Sequence, residues 1–291
     1  MTMQPIPRLP PCVPFAYPKS CEQPLSKPPH GRHQFRHQLL KHQRLNRQRP
    51  AMSADNDDTI LAFEYIEVLT HGSDGQKKRL IQQASGTLLA GQVTVLTGTS
   101  GSGKSVLLRV LAGLLPISAG TVRLRPTHEP PHARFWDIQD ISPTKWRAQV
   151  ALLAQHPQLI EGSVLDNLQL PFQLRAHQHL RFDSNWHTAQ LAYLGRGGDF
   201  LHKDAYHLSG GERQLVNTLR LLQLEPRVLL LDEPTAALDV NTAAQLVALL
   251  VDWVQKSKQR TVLWVTHDTQ DILPLADQHW HMQAGVLTKI R

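Results

Sequence analysis

The chain has 291 residues, of which 41% are hydrophobic and 19% charged, and a formal net charge of +7. This is enough apolar content for one large domain or two modest ones, and it excludes a disulfide miniprotein, a collagen and a wholly disordered chain. The charge is local: residues 1–51 hold nine Lys/Arg against the single acid Glu22, a net of +8, which leaves 22 basic and 23 acidic groups, a net of −1, for residues 52–291.

Residues 1–52 read as a disordered basic tail, rich in Pro, His and Arg, and ten of the chain's 20 prolines fall in its first 51 positions. Such a composition buries too little apolar surface to offset chain entropy. Three readings of it stay open: a native extension, an arginine-rich transit peptide, or sequence ahead of a true start at Met52. Proline interruption and the lack of interleaved aromatic residues set nucleic-acid binding aside. Both cysteines, Cys12 and Cys21, lie in this tail, so the rest of the chain can build neither a disulfide nor a thiolate metal site, which fits a reducing compartment. No apolar run is long enough for a membrane span, so a soluble chain is expected and any membrane role needs a partner.

From Thr59 onward a folded domain is expected over residues 53–291. Ile60–Leu69 reads as a strand, Ser73-Asp74-Gly75 as a turn, and Gln92–Thr97 as a β-branched strand ending at Gly98. Ser105–Leu115 is apolar at helical spacing and stops before Pro116. Arg227–Leu231 and Thr261–Thr266 are short apolar runs suited to buried parallel strands, and Ala243, Leu246, Val247, Leu250, Val251 and Val254 mark one face of a helix between them. The alternation predicts an α/β parallel-sheet core over 57–144 and 223–291, with an inserted α-helical subdomain over 145–222.

Three motifs carry the chemistry. Gly98-Thr99-Ser100-Gly101-Ser102-Gly103-Lys104-Ser105 fits G-x-x-x-x-G-K-[ST] after a strand and at the start of a helix. Such a loop turns backbone N–H groups onto a β-phosphate, its lysine neutralises β/γ oxygens, and its serine hydroxyl ligates Mg²⁺. Val228–Glu233 delivers two carboxylates to the end of a buried strand: Asp232 for Mg²⁺ and Glu233 for the attacking water. Leu208-Ser209-Gly210-Gly211-Glu212-Arg213-Gln214 is a second anion cradle at a helix start, and two cradles with one lysine point to a nucleotide shared between subunits.

With these residues the chain resembles the ATP-binding-cassette (ABC) ATPases, a phosphate-loop NTPase family marked by an L-S-G-G-x-Q-type signature. The match continues in order through Gln155, Ala237-Leu238-Asp239 and His267 in Val265-Thr266-His267-Asp268. The resemblance implies that ATP is bound with Mg²⁺, that Gln155 contacts the metal and the attacking water, and that His267 hydrogen-bonds the γ-phosphate. It further implies that Asp239, Ser209, Gly210 and Gly211 act across a homodimer. The family also stacks an aromatic residue on adenine, for which Phe63, Tyr65 and His71 are the candidates. Phe63 and Tyr65 alternate within a strand as sheet residues do, while His71 lies nearer the expected loop.

No guanine-reading Asn-Lys-x-Asp motif occurs, Lys104 and Asp232 are too close in sequence to enclose a long coiled coil, and one cassette is present. What remains is the cytoplasmic ATPase subunit of a transporter, peripheral on the inner membrane through a separately encoded permease. A soluble ABC regulator or repair factor is the alternative. Trp146–Val150, Gln155–Leu159, Asp166–Leu168, Pro171-Phe172 and Val262–His267 look like the ATP-binding subunit of Fet-type iron-export systems. That likeness implies metal export.

Overall fold

A computed structural model describes residues 58–71, 76–126 and 135–291. The basic tail, its cysteines and the turn expected at Ser73–Gly75 lie outside the described residues, as does the side chain of His71.

Two sheets are stacked. The first is antiparallel, in the order β2-β1-β4-β5, from β1 (Thr59–His71), β2 (Lys77–Leu89), β4 (Ala119–Leu124) and β5 (Trp136–Asp137). The second has the order β10-β9-β3-β8-β7-β6 and is parallel from β9 through β6. Its strands are β3 (Val93–Thr97), β6 (Val150–Leu153), β7 (Val228–Asp232), β8 (Thr261–Val265), β9 (Gln278–Gln283) and β10 (Val286–Lys289), the last pairing antiparallel with β9. The helices are α1 (Lys104–Leu111), α2 (Pro143–Gln149), α3 (Val164–Gln169), α4 (Ser184–Tyr193), α5 (Gly210–Leu222) and α6 (Val240–Gln255).

The central strands are buried on both faces, which explains their unbroken apolar runs. Their side chains alternate between two cores. Leu229, Leu231, Val262 and Trp264 join α5 and α6, while Val228, Leu230, Leu263 and Val265 join α1 and the antiparallel sheet. Phe63 meets Trp280 edge-on at 5.8 Å where the two sheets touch.

The sheet assignment corrects the sequence reading in two places. Val150–Leu153, placed by sequence in the helical insertion, is a core strand with Val150 opposite Val228 and Leu153 opposite Leu231. A four-residue apolar run has no periodicity that distinguishes strand from helix. The antiparallel sheet has no counterpart in the sequence reading, because β1 and β2 pair through several register shifts that break the two-residue pattern. The first core helix also ends at Leu111 rather than Leu115, in a turn with Gly113 at φ 67°.

Candidate functional site

The glycine-rich loop is fixed from behind. Gly98 adopts φ 145°, and a Cβ there would lie 2.0 Å from the carbonyl oxygen of Met282 on β9. Only glycine lets β3 turn into α1 at that separation. Ser102 is buried and its hydroxyl has no hydrogen-bond partner. Lys104, also buried, folds over the loop and donates to the carbonyls of Gly98 at 2.7 Å and Thr99 at 2.9 Å. Burial pushes its pKa down, opposed by the nearby carboxylates of Glu233 and Asp232. Charged groups from two motifs distant in sequence are therefore within electrostatic reach of one another, and Ser105 follows in the first turn of α1.

Strand β7 ends at the buried Asp232, opposite Val265. Glu233 extends the ladder by one bond, donating its N–H to the Val265 carbonyl at 3.0 Å, and then leaves the sheet at φ 50°. A left-handed conformation costs a non-glycine residue about 1 kcal/mol or more. The turn brings its carboxylate between two side chains: Gln155 Nε2 donates to Oε2 at 2.9 Å, and His267 Nε2 lies 2.8 Å from Oε1. Gln155 follows β6 and His267 follows β8, the two strands flanking β7, so adjacent strand ends supply all three groups. Thr266 steadies the last of these by donating its hydroxyl to the Asp268 carbonyl at 2.7 Å.

The second cradle is a capped helix start. Ser209 Oγ accepts from the Glu212 N–H at 3.1 Å, while the Glu212 carboxylate accepts from the Ser209 N–H at 2.8 Å and from Lys203 at 2.9 Å. Burial raises the Glu212 pKa, but these donors outweigh it and hold the carboxyl below its usual value. The Ser-x-x-Glu spacing makes the cap legible in sequence; Lys203 has no such signal. Gly211 is buried, and a Cβ there would come within 2.7 Å of the Ala237 carbonyl. Gly210 is exposed, and a Cβ there would meet only the Ala237 methyl, at 3.8 Å. Asp239 is the N-cap of α6, accepting from Asn241 N at 3.1 Å and Thr242 N at 3.0 Å. A groove of about 440 Å³ is lined by Gln155, Tyr206, Gly210, Arg213 and Ala237, so the loop after β6 and the start of α5 face one another across it.

Of the aromatic candidates, Phe63 is buried against Trp280 and is out of a ligand's reach. Tyr65 is exposed beside Ser85, which accepts from its N–H at 2.9 Å. The glycine loop instead meets β2 at Leu80, whose carbonyl is 2.9 Å from a Cβ built on Gly103. Five residues of strand separate Leu80 from Ser85, roughly 16 Å, which puts Tyr65 well away from the loop.

A family model described as "ABC transporter" matches residues 81–236. The chain is 34% identical over 194 residues to the "Probable iron export ATP-binding protein FetA" of Escherichia coli strain K12, covering 67% of this chain and 80% of that one. It is 35% identical over 229 residues to the lipoprotein-releasing system ATP-binding protein LolD of Acinetobacter baylyi, covering 78% and 96%. Among solved structures, the dimeric ATP-binding cassette MJ0796 bound to ADP and Pi matches with a TM-score of 0.66 at 23% identity, over 80% of this chain and 99% of that chain. The Clostridium perfringens protein cbiO1, part of the ABC transporter complex cbiONQ, matches with a TM-score of 0.60 at 25% identity, over 79% and 87%. A phosphate-loop α/β core, a bracketed carboxylate after β7, a signature turn at α5 and these relatives lead to one conclusion: the chain belongs to the ABC transporter family, as an ATP-binding cassette.

Proposed function

We propose that this chain is the ATP-hydrolysing subunit of a transporter, working on the cytoplasmic face of the inner membrane through an integral membrane permease encoded separately. Among the described residues no helix is long and apolar enough to cross a membrane. Two copies close on two ATP molecules. Each nucleotide is held by Gly98–Ser105 of one copy and by Ser209, Gly210 and Gly211 of the other, with Asp239 at the seam.

The observation that carries this reading is the Glu233 carboxylate bracketed by Gln155 and His267. One carboxylate oxygen accepts a hydrogen bond from Gln155 and the other lies 2.8 Å from His267 Nε2. These two neighbours fix the orientation of Glu233, whose remaining lone pairs can receive a proton from a water aligned with the γ-phosphate. Lys104 exchanges its loop carbonyls for β/γ-phosphate oxygens. His267 then donates to the γ-phosphate, and Gln155 links the arrival of nucleotide to the groove between the core and the helical part. A hydroxyl, a carboxylate and an amide oxygen from Ser105, Asp232 and Gln155 form a set of hard oxygen donors, which suits Mg²⁺. When bound, the ion would supply neutralisation of the charge that develops on the phosphates.

The cargo we assign is a transition metal, iron, moved outward. The support is the 34% identity to a protein named for iron export.

Mixing two inactive chains tests the shared site. Gly210→Asp places a carboxylate in the second cradle without the backbone collision that any side chain at Gly211 brings. Lys104→Ala and Gly210→Asp chains should each be inactive alone and recover partial ATPase activity together, since one site of each mixed pair is intact. A lack of rescue overturns the shared arrangement. For the cargo, a strain lacking the chain should retain excess iron, and the ATPase reconstituted with its permease should respond to Fe²⁺. A response to lipoprotein with none to metal overturns the iron assignment and leaves the ATPase reading standing.

A further inference from the structure

Tyr206 and Val240 are the most exposed large hydrophobic residues among those described, at 85% and 82%. Both stand beside signature elements: Tyr206 three positions before Ser209, and Val240 immediately after Asp239. Isolated exposed apolar residues need no explanation, but Tyr206 stands on the wall of the groove that also holds Gly210, while Val240 lines a separate pocket with Glu233 and His267.

The scaffold that presents Tyr206 is firmly built. Its N–H donates to Asp204 Oδ1 at 2.8 Å, the Ala205 N–H donates to the Gly162 carbonyl at 2.9 Å, and Asp204 bridges to Ser163 at the start of α3. The ring meets the edge of His207 at 5.6 Å and 81°, and otherwise stands in solvent. Leu208 and Ser209 are extended, so the Cα of Tyr206 lies within about 10 Å of the Cα of Ser209 and its ring is within reach of the same ligand. That reach is comparable to the span from terminal phosphate to base in an extended nucleoside triphosphate. Tyr206 also lines the groove that holds Gly210 and Arg213.

On the shared-site reading above, Ser209–Gly211 of one copy meet the γ-phosphate of a nucleotide whose β-phosphate lies in the partner's glycine loop. We infer that Tyr206 stacks on the purine base of that same nucleotide, so that the copy supplying the signature also closes one face of the base. A rigid, exposed aromatic ring offers large contact area at small entropic cost. Stacking is tolerant of base identity, so Tyr206 strengthens binding of purine nucleotides without choosing among them. This is a positioning and affinity role in ATP hydrolysis, contributed from the second chain.

The test places Tyr206→Ala in one chain at a time of the Lys104→Ala and Gly210→Asp mixture. The working site takes its glycine loop from the Gly210→Asp chain and its signature from the Lys104→Ala chain. Tyr206→Ala in the Lys104→Ala chain should raise KM for ATP and for GTP by about tenfold or more, with kcat little changed. The same change in the Gly210→Asp chain should have no effect, since the signature of that copy is already disabled. Tyr206→Trp should restore affinity, and inhibition by inorganic tripolyphosphate, which has no base, should be the same with and without the tyrosine. Equal shifts from both placements, a parallel loss of tripolyphosphate affinity, or no shift from either would overturn the inference while leaving the shared site intact. Failure of the native-Tyr206 mixture to recover activity would overturn the shared site and this inference with it. Loss of permease association without a change in KM would assign Tyr206 to the permease contact instead.

Discussion

His267 Nε2 lies 2.8 Å from Glu233 Oε1, so the side chain after β8 holds the carboxylate delivered by the neighbouring strand β7. Gln155 holds the other oxygen from the opposite side. Replacing Glu233 by Gln preserves size and removes the base. Hydrolysis should fall about 10²–10⁴-fold, the usual worth of a positioned base, while ATP still binds and a nucleotide-bound dimer accumulates on size exclusion. Near-wild-type turnover would place the base elsewhere.

The shared carboxylate couples its two holders. His267→Ala and Gln155→Ala should each lower kcat with smaller effects on KM, since both groups are assigned to the reacting end of the nucleotide. Because each variant also frees the Glu233 side chain, the double variant should lose less than the sum of the single losses in free energy. Strict additivity in a double-mutant cycle would show that the two act independently of Glu233.

Adjacent glycines in the signature should behave differently. Gly211→Ala drives a Cβ to within 2.7 Å of the Ala237 carbonyl and 3.0 Å of Leu238 Cδ2, whereas Gly210→Ala meets only a methyl at 3.8 Å. Overpacking of this kind costs about 1–3 kcal/mol, so Gly211→Ala should lower the denaturation midpoint clearly and Gly210→Ala should leave it nearly unchanged. Equal midpoints would mean that the start of α5 moves freely against Ala237.

The cap at Asp239 gives a pH-dependent effect. The Thr242 hydroxyl, with the N–H groups of Thr242 and Asn241, holds its carboxyl below the usual carboxylate range. A depressed folded-state pKa contributes stability above the unfolded value, and that contribution is lost as pH falls through the folded one. Asp239→Ala should therefore cost about 1 kcal/mol at neutral pH, and the difference from wild type should close in acid below the ordinary carboxylate pKa. Asp239→Asn keeps an acceptor and should retain most of the cap with no such acid dependence. Thermal melts from neutral pH into acid would check both.

What can be read from the sequence follows the strength of local signals. The β3–loop–α1 unit carries its own punctuation in Gly98–Ser105, and β7 and β8 are uninterrupted apolar runs, so the sheet ends that position Lys104, Asp232 and Glu233 are evident from sequence. The strand at Val150–Leu153 is too short to show a period, and β1–β2 disguise theirs with bulges. The contact of Gly98 with Met282 and that of Gly211 with Ala237 join segments remote in sequence, and no local pattern encodes them. For Tyr206 the deciding property is exposure, which emerges only once the fold shows what the ring does not touch.

The two bonds from Lys104 to the Gly98 and Thr99 carbonyls make nucleotide capture an exchange reaction. Heat released on binding therefore measures phosphate contacts minus the loop contacts surrendered, and calorimetry on wild-type chain should understate the strength of the lysine–phosphate bonds. The same bonds brace the loop before any ligand arrives. Lys104→Ala should thus speed amide hydrogen exchange across Gly98–Gly103 in nucleotide-free protein, a loss of local order separate from the loss of charge.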